Sequence, residues 1–222
     1  MAEATQSSEE ISQTLNKTDF GHIIYENRKI LFGILIATLV GVTGYLIWKQ
    51  TKEAAAVTNS EEVFKFQSTT WAQAKAGKVA PAELVKSFNG LSQDVQQAPV
   101  MMPIVLEMGQ FLHDKGSLAE ADSILAKASE TNHTLGQFFV GMQRIVVLEK
   151  LGKTDDAISV LEKMNITKDI PMPQKVSLEL GRLYLLKGEK GKAQTQFQNV
   201  ISQYPNDEYA KVAKLYLGQL AQ

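Results

Sequence analysis

The residues best suited to chemistry are few, and their spacing does not suit it. Of the three histidines, His22 stands in the N-terminal stretch, and His113 and His133 lie twenty residues apart. Neither has a carboxylate at the spacing that would close a three- or four-ligand metal site. The carboxylate pairs Glu61-Glu62 and Asp155-Asp156 fall where helices are expected to start. Negative charge there suits the helix dipole, so acid-base work is not assigned to them. With no cysteine, thiolate catalysis, disulfides and Cys-based zinc sites are excluded. The glycines recur at turn spacing and form no phosphate-cradling loop. Asn16-Lys17-Thr18, Asn132-His133-Thr134 and Asn165-Ile166-Thr167 match the N-glycosylation acceptor, which carries meaning only in a secretory host. No catalytic, cofactor-binding or metal residue is assigned, and an enzyme is not expected. The net charge of −1 divides into −2 over residues 1–29 and +1 over the remainder. That balance gives no basic face for phosphates, so nucleic acid is not an expected partner. What is left to these residues is read from the elements that position them.

Beyond Lys49 the elements that must position such residues repeat. Gly116, Gly152 and Gly188 are 36 residues apart, as are Ala121, Ala157 and Ala193, then Leu125, Leu161 and Phe197, and, ahead of each glycine, Leu112, Leu148 and Tyr184. Four triplets in phase define a repeat array. In DKGSLAEADSIL, KLGKTDDAISVL and LKGEKGKAQTQF the glycine can end one helix in a left-handed conformation. The alanine lets two helices touch, and Leu or Phe fills the gap one turn on. Ser117 and Thr154 are read as N-caps of the second helices.

These residues resemble the tetratricopeptide repeat, a helix pair of about 34 residues. The last unit carries the pattern most fully, in Leu180, Gly181, Tyr184, Gly188, Ala193, Phe197 and Pro205. The middle one has Arg144 and Ile145 in place of the Leu-Gly pair, which leaves its helix packing open. Units are expected over about 102–136, 138–170 and 174–206. A degenerate unit over about 55–97 is read from the helical segments Glu61 to Gly77 and Ala82 to Gln96. Asp207 to Leu220, with Tyr209, Val212, Leu215 and Tyr216 at helical spacing, is expected to cap the stack. The resemblance implies that the first helix of each hairpin lines a concave groove. Its outward residues would be Leu106, Gln110 and His113, then Phe139, Met142 and Val146, then Leu178, Arg182 and Leu185. Such an apolar set either receives an amphipathic or unfolded segment or buries against a neighbouring helix or an intramolecular cap. Some members of the family hold a C-terminal carboxylate in a Lys/Asn clamp; Leu106 and Gln110 stand at those positions, which argues against a cytosolic chaperone-tail adaptor.

Ahead of the repeats, Ile30 to Trp48 runs nineteen residues without a charge between Arg28-Lys29 and Lys49. That is roughly 28 Å of helix, about one hydrocarbon thickness, with Tyr45 and Trp48 at the end where aromatic rings favour headgroups. A cleaved signal peptide fits poorly with an acidic 29-residue tail and with Lys49, Lys52 and Glu53 before the small residues Ala54 and Ala56. Gly33, Ala37 and Gly41, with Gly44 nearby, make a small-residue stripe for another membrane helix. Lys17, Arg28 and Lys29 on one side balance Lys49, Lys52 and Lys65 on the other, so charge alone does not orient the span.

The expected fold is therefore all-α: a polar tail over 1–29, a single transmembrane signal anchor over 30–48, and over 49–222 an α-solenoid of tetratricopeptide-like hairpins with a C-terminal capping helix. This layout, including Tyr25 to Asn27 before the anchor, resembles the ancillary subunit of the bacterial Sec translocon. The resemblance implies an inner-membrane protein with a cytoplasmic N-terminus and a periplasmic repeat domain. Its implied partners are translocon subunits, periplasmic chaperones or secretory polypeptides, without a cofactor. Two competitors from other classes stay open: a structural or assembly subunit of another envelope complex that acts through its membrane helix, and an enzyme or enzyme regulator, for which the sequence offers no residues. A homo-oligomer stays open among the partners.

Overall fold

The computed structural model describes residues 27–131 and 133–220. Among these the chain forms eleven α-helices and one π-helical segment, with no strand. It divides into two compact units, Met1–Ala55 and Ala56–Gln222. Most of the N-terminal tail, with His22 and the Asn16 triplet, lies outside the described residues.

In the first unit the chain enters α1 (Arg28–Phe66). Arg28–Thr51 is the one span among the described residues long and apolar enough to cross a membrane, and none of it is buried. It overruns the expected 30–48 because the flanking basic residues are good helix formers and simply continue the turn. Inside it the Thr38 and Thr43 hydroxyls donate to the carbonyls of Ile34 and Leu39, each at 2.7 Å, so their polarity is satisfied within the helix. No glycine or proline stands between Trp48 and Phe66, and α1 therefore runs unbroken to Phe66. Glu61 and Glu62 consequently sit in a helix interior and not, as expected, at a helix start.

In the second unit the end of α1 passes into a π-helical segment (Gln67–Trp71) and α2 (Ala72–Lys75). The wider π turn delivers Trp71 to the interior, where it is wholly buried. Its indole Nε1 donates to Glu107 at 3.0 Å and its ring meets Phe111 edge-on at 5.2 Å. The expected helix from Ala82 to Gln96 is two helices, α3 (Pro81–Asn89) and α4 (Gln93–Gln96). Gly90 closes the first, and Ser92 starts the second by accepting from the Val95 N–H at 3.3 Å. The buried Gln96 amide seals the break, donating to the carbonyls of Phe88, Asn89 and Leu91.

Three hairpins follow: α5 (Met102–Asp114) with α6 (Leu118–Ser129), α7 (Thr134–Lys150) with α8 (Thr154–Asn165), and α9 (Pro173–Leu186) with α10 (Lys190–Gln203). The second hairpin begins at Thr134, so the expected unit end at 136 falls inside it. Each turn has the same build. Gly116, Gly152 and Gly188 take φ of 74°, 72° and 82°. The next N–H, of Ser117, Lys153 and Glu189, reaches back to the carbonyls of Leu112, Leu148 and Tyr184 at 2.9, 2.9 and 2.8 Å. This is the Schellman closure, and it explains why the residue four before the glycine repeats along with it. Gly77, at φ 73°, makes the same turn with Lys78 bonding to Gln73 at 2.9 Å. The expected N-caps are corrected. Ser117 holds the cap position without a side-chain bond, and Thr154 is already helical, with Lys153 as the cap.

Packing inside the hairpins depends on close backbone approach. A Cβ on Gly109 would stand 2.9 Å from Leu125, and one on Gly181 would stand 2.6 Å from the Phe197 ring. In the middle hairpin the equivalent position is Ile145, itself buried. The close approach moves one turn back, to Gly141, where a Cβ would meet the Met164 sulfur at 2.6 Å. The middle hairpin is thus complete with its crossing point shifted. α7 serves both cores: Val140 and Val147 join the cluster of α3, α5 and α6, whereas Phe138, Ile145 and Leu148 join that of α8 to α11. The array ends in α11 (Glu208–Leu220), where Tyr216 stacks on Phe197 at 4.9 Å and Ala210 and Ala213 are buried. Val212 and Leu215 face solvent.

Candidate protein-binding face

The first helices α5, α7 and α9 are tied side by side by polar bonds between repeats. The Gln143 amide on α7 donates to the Leu106 carbonyl on α5 at 3.0 Å. On α9, Arg182 donates both Nη groups to the two oxygens of Glu149, each at 2.8 Å, and its Nε to Glu179 at 2.7 Å. The bonds to Glu149 raise the guanidinium's pKa above its ordinary value against the opposing effect of burial. A bidentate fork of this kind fixes geometry as well as charge. Its consequence for binding is direct: the cation expected to face a ligand is already neutralised, with one carboxylate to spare.

The nine expected groove residues divide into three groups. Phe139 and Val146 are half exposed, at 49% and 50%, with Met142 partly buried between them. Leu135, exposed at 57%, extends the same line, because 135, 139, 142 and 146 follow the one-face helical spacing. The expected repeat frame begins at 138 and so leaves Leu135 out; the spacing itself would have found it. Leu106 and Leu185 are partly buried against the two cores. Leu178, expected to point outward, is only 6% exposed and belongs to the core cluster with Phe138 and Ile145. It lies one turn before Arg182, whose tie to α7 closes the seam over it. At the far end, the Gln110 amide and the His113 ring both meet Asp114 Oδ1, at 2.7 and 3.2 Å, and His113 Nε2 is buried without a partner. The face is therefore one apolar stripe on α7, bordered by polar groups already engaged with one another. Glu149 and Glu179, which engage Arg182 at the border of the stripe, are not among the expected residues, since their partner stands in another repeat or across one helical turn.

On the membrane-type span, a Cβ built on Gly33, Gly41 or Gly44 meets no atom within 4 Å, and Ala37 is exposed. Among the described residues no three metal-ligating side chains come together.

A family model for the tetratricopeptide repeat matches residues 175–207, which are α9, α10 and the turn after them. This is the hairpin in which a Cβ on Gly181 would stand 2.6 Å from the Phe197 ring. No curated protein matches the chain. The chain is thus an all-helical solenoid bearing a tetratricopeptide repeat, a repeat class that generally mediates contacts between proteins. One N-terminal helix is apolar and long enough to span a membrane.

Proposed function

We propose that the chain is a membrane-anchored, non-catalytic protein-binding scaffold whose partner lies along the α7 stripe of Leu135, Phe139, Met142 and Val146. The observation that carries the reading is that Leu135, Phe139 and Val146 stand in line and stay open, with Met142 partly exposed between them, while the other apolar side chains of α7 are buried. An amphipathic helix or an unfolded segment presents the matching apolar row. The finer reading is an accessory factor of the bacterial Sec translocon, with the N-terminus cytoplasmic and the repeats periplasmic, receiving secretory chains or periplasmic chaperones. It is supported by the order of elements, one N-terminal apolar helix ahead of repeat hairpins that begin at Met102, and by the resemblance of that layout.

The test is site-specific photocrosslinking in cells, with the reactive group at Phe139 or Met142 and, as control, at the solvent-facing Leu215. Secretory chains or chaperones trapped from the stripe and not from Leu215 are the expected result. A stripe that traps no more than the control sinks the reading. If replacing Gly33, Ala37 and Gly41 by leucine then removes every association, the chain acts through its membrane helix alone.

A further inference from the structure

We infer that the middle hairpin holds a second binding site, on the face of α7 opposite the open stripe, that takes a peptide zwitterion of two or three residues. Gln137, Gly141 and Arg144 line up at helical spacing about half a turn away from Phe139 and Val146. They floor a cavity of about 240 Å³ walled by α6 and α8.

Three departures from the neighbouring repeats coincide there. Where the first hairpin buries Val105 completely, the middle one has Gly141, whose own side of the floor carries no side chain and is approached only by the flexible end of Met164 and by Val160 from α8. Where the other hairpins bury Met108 and Leu180, it has Arg144, whose Nε donates to Asp122 at 2.7 Å while its Nη groups make no hydrogen bond among the described residues. Gln137 donates its amide to the Thr131 carbonyl at 2.7 Å, which leaves Oε1 buried with no partner. A buried acceptor left unmatched is costly, so a donor is called for at that point.

The charges say which donor. Glu130, where α6 ends, and Lys163, on α8, both line the cavity and make no ion pair among the described residues. An ammonium group suits Gln137 Oε1 and Glu130, and a carboxylate suits Lys163 and the outer edge of Arg144, all of which line the cavity. Seven residues of helix separate Gln137 from Arg144, roughly 10 Å of rise. An extended peptide covers about 3.3–3.6 Å per residue, which sets two or three residues. The apolar wall of Val160 and Met164, and the limited volume, favour small side chains.

The experiment is calorimetric titration of the full chain in detergent with trialanine, N-acetyl-trialanine and trialanine amide. Trialanine is expected to bind, and blocking either terminus to weaken it about tenfold or more, as loss of one charge-assisted contact should. Glu130→Gln should abolish the penalty for acetylation, and Lys163→Gln the penalty for amidation. Both side chains are exposed, so neither change threatens folding. Failure of trialanine to bind the folded protein at millimolar concentration overturns the site, and so do variants that bind all three peptides like the parent. Binding of both blocked peptides as tight as that of trialanine would show a site for an internal chain segment and overturn the zwitterion. Substituting Phe139 or Val146 should leave these titrations unchanged, so failure here and failure of the α7 stripe are separate results.

Discussion

At the scale of single residues, Tyr184 carries two jobs at once. Its carbonyl closes the third hairpin turn, and its hydroxyl donates to Glu162 at 2.5 Å, joining α9 to α8. The side chain is 6% exposed. Burial first, and then the bond to the Glu162 carboxylate, push its pKa up from 10 to about 12. Because the folded state holds this proton more tightly than the unfolded state, the stabilisation is full below pH 10 and lost as pH rises from 10 toward 12. The linked free energy is at most about 2–3 kcal/mol. Tyr184→Phe should cost about 1 kcal/mol at neutral pH, and the gap between variant and parent should close in alkali. Denaturant unfolding followed by circular dichroism at a series of pH values measures that gap. Parallel curves up to pH 12 would show that the hydroxyl contributes nothing to the α8–α9 contact.

At the scale of elements, glycines of one residue type do opposite things. Gly152 holds φ at 72°, a conformation that an L side chain adopts at a cost of about 1 kcal/mol. Gly218 lies in α11 with open space around its Cβ position and no positive φ, so alanine there gains up to about 0.5–1 kcal/mol of helix propensity. Gly152→Ala should therefore lower the melting temperature and Gly218→Ala raise it, each read by differential scanning calorimetry; equal shifts of one sign would refute the assignment. This contrast also shows what the sequence makes legible. The phased glycines and the residue four before each are readable because the turn that needs them is local, spanning six residues. The middle hairpin is readable as a hairpin for the same reason. Its shifted crossing is not, because Gly141 and Met164 meet only after both helices have formed. The break between α3 and α4 is signalled by Gly90 and Ser92, yet helical spacing on both sides of it reads as one helix. The candidate face is legible in part. Phe139, Met142 and Val146 follow from periodicity, whereas the burial of Leu178 and the Arg182–Glu149 fork depend on how neighbouring repeats dock, 33 residues apart in the chain.

At the scale of the whole molecule, the apolar span poses the clearest physical demand. Arg28–Thr51 has no buried residue, with Phe32, Leu35, Leu39 and Val40 each more than 60% exposed. Leaving such a row in water forfeits about 25 cal/mol for every Å² of apolar surface. The repeat unit does not need the span for its own core, since both apolar clusters are assembled from Val63 onward. The span and the repeat unit are therefore separable in stability, and a simple fractionation tests the separation. The full chain, expressed in bacteria, should sediment with membranes and resist alkaline carbonate extraction, whereas a chain beginning at residue 52 should remain soluble and keep its cooperative helical melt. One arginine at Leu39, near the middle of the span, should cost about 3 kcal/mol of insertion and move a measurable fraction of the full chain out of the carbonate-resistant pool. Recovery of the intact parent chain in the carbonate supernatant would make α1 a soluble stalk, with its open apolar row left to a protein partner.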